Sequence, residues 1–276
     1  MEKEFRQKTV NHIFHYTKTF ESLVGILQEG FKPSYCEEKI TDLTYLIPMV
    51  SFCNISLRDV DLYIRYGNYG IGMSIEWAIR NGISPVIYIH ENSIFNNLHR
   101  NINEVLLWHM VNKQSEDAQK QFQNATDLGE KYEYKVPEDG KLTKLLSDIN
   151  LLTVPALQFF KNWKIHYNLQ EIITYQEREW RYVPILKQEG KKIIPSTDVN
   201  FVDFSNKDIK PKPHLPEYTL QLESIADIRY IVINTEEERS SLLVCLNQKF
   251  GDRNVLDALF NGTLLILTDQ QVKNDF

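Results

Sequence analysis

The stretch from His12 to Gly30, HIFHYTKTFESLVGILQEG, constrains the fold first, because its residue pattern changes period once. Residues 12–16 form a short apolar and aromatic run, which predicts a strand. Phe20, Leu23, Val24 and Leu27 then recur at i, i+3, i+4 and i+7, the signature of a helix with one apolar face. Thr19 suits the N-cap, Glu21 the first turn, and Gly30 the left-handed position that closes a helix. A strand leading directly into a helix places His15 and Tyr16 at the strand's end. Residues there serve either as ligands or as plain core.

The later segments mix both periods. LIPMVSFC (46–53) reads as a buried strand, and ISLRDVDLYIRYG as a helix from Ser56 to Gly67. YGIGMSI (69–75) carries two glycines in a strand pattern, which predicts a bulge or a close backbone approach. EWAIRNG is a short helix closed by Gly82, and PVIYIH (85–90) a strand. Residues 101–125 are helical, 126–141 form a polar loop, and 141–163 hold a helical pair broken near Pro155. Together they predict a helical insertion at about 95–165. EREWRYVPIL returns to strand, followed by a long Pro-rich connection. YTLQL and IRYIVIN are strands, Asn234 to Gly251 is a helix with Thr235 and Glu238 as a capping box, and residues 263–268 are a last strand. Without a regular βαβ alternation, the order predicts an α+β fold with a mixed, curved or split sheet, in a single domain spanning 1–276.

Composition narrows the function. With 276 residues, 42% apolar and 25% charged, the chain can bury an ordinary core. A net charge of −6 argues against bulk binding to nucleic acid or an anionic membrane, though it leaves room for a local basic groove. No helix-turn-helix pattern supports a DNA-binding repressor. Cys36, Cys53 and Cys245 are an odd number without CxxC spacing, as expected for reduced thiols rather than a disulfide framework or a zinc site. MEKEFRQKTV lacks the apolar segment of a signal peptide, and no run nears the roughly 18 apolar residues of a membrane span. A cytoplasmic protein is therefore expected.

Few residues carry chemistry. His12 and His15 are spaced HxxH, but on a strand they face opposite sides, so no metal is expected. YGNYGIG matches neither phosphate-loop pattern; a strand against which a flat ligand lies suits it better. No GxSxG elbow occurs, and Cys53 reads as packing rather than as a nucleophile. The most unusual stretch is YQEREWRYVP (175–184). On a strand, Glu177, Glu179 and Arg181 would share one face. Either a solvated edge strand carries these charges, or they form a cleft carboxylate oriented by Arg181 or Arg178.

Several blocks carry a family resemblance: IFHYTKTFESLVGILQEGFKPSYCEE, IPMVSFCNISL, YGNYGIGMSIEWAIRNGISPVIYI, YQEREWRYVP and IADIRYIVINTEEERSSLL, in that order. The chain resembles the AbiGi family, antitoxins of bacterial phage defence by abortive infection. That resemblance implies a cognate toxin encoded nearby. More distantly, HYT before a helix, SFC, the aromatic-glycine stretch and ExWR resemble the ADP-ribosyltransferase-like superfamily. This implies NAD as substrate, with His15 holding the ribose, Thr17 and Ser51 among the ligand-binding residues, and Tyr66 or Tyr69 stacking on nicotinamide. Glu179, with Glu177 beside it, would be catalytic, and Arg181 would be a ligand-binding residue. The competing expectation is a non-catalytic antitoxin that binds its toxin or the toxin's target.

Overall fold

The computed structural model describes residues 10–40, 43–59, 66–98, 101, 156–167, 170–184 and 216–275. Strand β1 (His12–Thr17) runs into helix α1 (Phe20–Glu29). Thr19 caps the helix: its backbone is extended and its hydroxyl accepts the Ser22 N–H at 3.1 Å. Gly30, at φ 90°, ends it by donating to the Ile26 carbonyl. Leu23 and Leu27 are fully buried, as the spacing predicts.

The remaining strands are β2 (Ser34–Ile40), β3 (Leu43–Cys53), β4 (Tyr69–Ser74), β5 (Ser84–Pro85), β6 (Ile87–Ile89), β7 (Phe160–Asn162), β8 (Lys164–Tyr167), β9 (Gln170–Ile173), β10 (Glu179–Tyr182), β11 (Ile228–Ile233) and β12 (Leu265–Thr268). The main sheet has the order β12-β11-β4-β1-β3-β10-β5, with β2 paired to β3. It is mixed: β11 and β12 are parallel and the other registered pairs antiparallel. The strands β6 and β7 form a small parallel sheet, and β8 and β9 a hairpin. The fold is thus α+β with a mixed sheet.

One face of the main sheet packs against α1, α2 (Ile75–Arg80), α3 (Arg239–Phe250) and α4 (Asp252–Phe260). Its core holds Ile13, Leu27, Phe52, Met73, Trp77, Ile231, Leu242 and Leu246. The opposite face gathers Phe14, Cys53, Ile55, Val232 and, from α5 (Asp269–Asp275), Val272.

The glycines of YGIGMSI sit on this second face. Gly72 stands opposite Phe14 and Tyr230, and Gly70 opposite Tyr16. A Cβ on Gly72 would come within 2.8 Å of the Phe14 ring and 3.0 Å of Tyr230; on Gly70 it would come within 3.0 Å of the Tyr16 ring. Phe14 and Tyr16 stack at 5.4 Å between centroids. The flat groups against this strand are therefore the chain's own rings, which corrects the expectation of a flat ligand there.

Four of the segments read from the sequence take another form, and β2, β8, β9, α4 and α5 have no counterpart in that reading. PVIYIH is split, because Pro85 has no N–H to extend the main ladder; the chain leaves it and pairs β6 with β7. Thr174–Glu177 forms a 3₁₀ turn instead of strand, closed by Arg178 in the left-handed region (φ 44°), and strand begins only at Glu179. YTLQL reduces to one bridge, Phe31 with Leu220. Phe160–Asn162 is strand, where a helical pair was expected. The helices expected over 101–125 and most of the insertion at about 95–165 lie outside the described residues, as do 60–65 of the helix expected from Ser56. The capping box of Thr235 and Glu238 is present, ahead of α3.

The two ends of the main strand order, β5 and β12, are poor templates for further pairing. The strand β5 has two residues and ends in proline. On β12, the Ile266 carbonyl accepts from Arg239 and the Thr268 N–H donates to Gln271 Oε1.

Gly72→Val should lower stability by about 1–3 kcal/mol, because the Phe14 and Tyr230 rings would have to leave their positions. A shifted denaturant midpoint with unchanged slope checks this; an unchanged midpoint refutes the packing described.

Candidate functional site

The sheet register builds the site. Glu179 stands opposite Cys53 and Arg181 opposite Ser51, so these alternate side chains of β10 and β3 share the second face. Glu177 reaches the same place from the 3₁₀ turn rather than from the strand. From β2 comes Glu38, from β7 Lys161, and from the turn before β4 Tyr66.

These side chains form one connected network. Glu179 Oε1 accepts from Ser51 Oγ at 2.9 Å and from Arg181 Nε at 2.7 Å. Its Oε2 accepts from Lys161 Nζ at 2.5 Å and from Arg181 Nη2 at 3.3 Å. Lys161 Nζ also donates to Glu177 Oε2 at 3.0 Å, and the Tyr66 hydroxyl donates to Glu177 Oε1 at 2.7 Å. Arg181 Nη2 donates to Glu38 Oε1 at 2.8 Å, and Nη1 to the Gln158 carbonyl at 2.8 Å. Arg181 is 0% exposed, Glu179 3% and Glu177 4%.

Burial by itself would push the Glu179 carboxyl up. Arg181 and then Lys161, through charge and hydrogen bonds, outweigh it and hold the carboxyl at about 2. Lys161 is likewise held above its ordinary value, because Glu179 and Glu38 outweigh its burial. A carboxylate offers about four acceptor positions, and all four on Glu179 are engaged. Arg178 is exposed, so Arg181 is the residue that orients Glu179.

His15 lies next to Phe14 on β1 and faces the other way. Its ring meets Phe31 at 5.3 Å and Phe52 at 5.7 Å, edge to face, within the α1-side core. The strands β1 and β3 share a single registered pair, Phe14 with Cys53. Just beyond it His15 Nδ1–H donates to the Ser51 carbonyl at 2.9 Å. Burial pushes the His15 pKa below its ordinary value, and this hydrogen bond only partly offsets the shift. His15 thus meets the network through Ser51 alone: the Ser51 carbonyl accepts from the ring and the Ser51 hydroxyl donates to Glu179.

The two tyrosines separate clearly. Tyr66 belongs to the network and is 38% exposed. Tyr69 is buried and donates to Glu238 Oε1 at 2.6 Å, the same carboxylate whose other oxygen caps Asn234 and Thr235. Burial, and then the bond to Glu238, push the Tyr69 hydroxyl up to about 12. It braces the start of α3, away from Glu179. Thr17 pairs with Tyr69 at the end of β1, outside the network. His12 donates to the Ile55 carbonyl and so shares no partner with His15. Among the described residues no group of three or more His, Cys, Asp or Glu side chains is arranged to hold a metal.

The sequence reading missed Glu38, Lys161 and Tyr88, whose hydroxyl accepts the Glu179 N–H at 2.8 Å. Lys161 had a signal: it interrupts the aromatic run FFKNW, where a lone cation needs an acidic partner. Glu38 had none, because SYCEEKI alternates too weakly to reveal β2.

The fold and this polar core define an α+β protein built around a buried carboxylate-cation network. The family model described as "Putative abortive phage resistance protein AbiGi, antitoxin" matches residues 29–234. The chain belongs to the AbiGi family. It is similar to the "Abortive phage resistance protein AbiGi" of Lactococcus lactis subsp. cremoris, with 25% identity over 245 residues, covering 80% of this chain and 88% of the relative. The family match takes in Ser51, Tyr66, Tyr69, Lys161, Glu177, Glu179 and Arg181; His15 and Thr17 precede it. No solved structure matches significantly. Among the described residues no helix is long and apolar enough to cross a membrane.

Two measurements test the network. Lys161→Met leaves two buried carboxylates short of a cation and should cost about 3 kcal/mol or more in denaturant unfolding. A loss under about 0.5 kcal/mol, the size of an ordinary surface change, would refute its buried role. In acid, the folded Glu179 pKa of about 2 lies below the ordinary glutamate value. Its stabilisation is therefore complete above pH ~4.3 and lost as pH falls towards 2, amounting to ~3 kcal/mol. Glu179→Gln should flatten that part of the stability profile.

Proposed function

We propose that this protein acts as the antitoxin of an abortive-infection pair by binding its partner, without catalysis of its own. The observation that carries this reading is the saturated carboxylate of Glu179. A catalytic carboxylate must reach substrate, and this one is buried with every acceptor position occupied by its own chain. The AbiGi membership supports the antitoxin role and, with it, a protein toxin as partner.

A second reading has one favouring observation. The strands β1 and β3 part after a single pair, and His15 stands at the fork, as a split sheet of ADP-ribosyltransferase-like type would require. In that reading NAD would enter between the strands, and Glu179 would have to exchange Ser51 or Lys161 for a ribose hydroxyl.

The two are separated by titrating NAD into the purified chain to about 5 mM, where even millimolar affinity registers, and assaying for free nicotinamide. The antitoxin reading expects neither binding nor nicotinamide. It also expects His15→Gln to rescue toxin-arrested cells as well as the parent does. Nicotinamide release, or loss of rescue by a folded His15→Gln variant, would overturn it.

A further inference from the structure

Between α1 and the end of β3 lies a cavity of about 440 Å³, within the size range of small-molecule sites. Ile26, Phe31, Met49 and Val50 give it apolar walls, and His15 and Ser51 are among its polar lining groups.

Gly25 points to a ligand independently. It lies inside α1, where glycine weakens a helix relative to alanine. Its backbone is not left-handed, and a Cβ built on it would meet nothing within 4 Å. Neither packing nor backbone geometry therefore explains the glycine. Its effect is to widen the cavity that it lines.

The polar lining sets the ligand's chemistry. His15 Nδ1–H is committed to the Ser51 carbonyl, which leaves Nε2 as a hydrogen-bond acceptor. Lys32 is the cation among the lining residues, and it is paired with Glu29. Among the described lining residues no further cation faces the cavity, so an uncharged ligand matches it better than an anionic one. We propose that this cavity binds a small, uncharged, flat molecule that fills the space beside Gly25 and donates one hydrogen bond to His15 Nε2. Binding is read on the purified chain alone, so this proposal can fail while the antitoxin reading stands.

Indole and benzofuran are suitable probes: they have the same shape, but only indole carries an N–H. Saturation-transfer NMR and calorimetry should show indole binding in the millimolar range, as befits so small a ligand, and benzofuran binding about fivefold to tenfold more weakly. Gly25→Leu should abolish binding of both without lowering the melting temperature, whereas Gly25→Ala should retain it. His15→Phe should remove the difference between the probes. The proposal is overturned if indole fails to bind at about 10 mM. Equal indole affinity in a folded Gly25→Leu variant, or equal affinity for both probes in the parent, also overturns it.

Discussion

Burying Glu179 beside Arg181 strips water from two ions, and the protein recovers that cost by giving the carboxylate four hydrogen bonds and a second cation. The consequences extend beyond the site. Lys161 belongs to a three-residue strand whose registered partner is the equally short β6. So small a sheet has little stability alone, and the ammonium of Lys161 joins it to β10 in the main sheet. Glu38 makes the corresponding link to β2 through Arg181. One cluster thereby fixes the relative positions of β2, β3, β7 and β10. Apolar residues could fill the same volume, but they would not specify which strand tip meets which, whereas a charge deprived of its partner penalises every wrong arrangement.

The divergence of β1 from β3 poses a different problem. Where two strands part, backbone groups lose their ladder partners and need others. At Ser51 the carbonyl accepts from the His15 imidazole, while the hydroxyl of the same residue serves Glu179. The depressed His15 pKa follows from this position: a ring packed between Phe31 and Phe52 is easier to keep neutral, and a neutral ring with one N–H is what a single carbonyl requires.

How much of this was legible depended on the range of the interaction. The cap at Thr19, the stop at Gly30, the buried Leu23 and Leu27, and the capping box before α3 are local, and the sequence shows them directly. Glu177, Glu179 and Arg181 do converge as their spacing suggests, yet for a different reason. A 3₁₀ turn and a left-handed Arg178 bring Glu177 round, because the strand starts two residues later than the charge pattern implies. Lys161 and Glu38 were not legible as partners, since their pairing spans 18 residues in one case and 143 in the other. The two tyrosine candidates could not be separated by spacing. Tyr69 alone has a glutamate of α3's capping box within reach, a fact of tertiary packing.

The glycines make the same distinction in a sharper form. In sequence Gly25, Gly70 and Gly72 are alike: each interrupts an element that would be stronger without it. Gly70 and Gly72 are accounted for within the chain, because Phe14, Tyr16 and Tyr230 occupy the space a side chain would need. At Gly25 that space is empty and opens into the cavity beside His15. A strand glycine covered by the chain's own rings has completed its role on folding. A helix glycine facing an unfilled cavity has not, and this contrast separates internal packing on one face of the sheet from a place for an external molecule on the other.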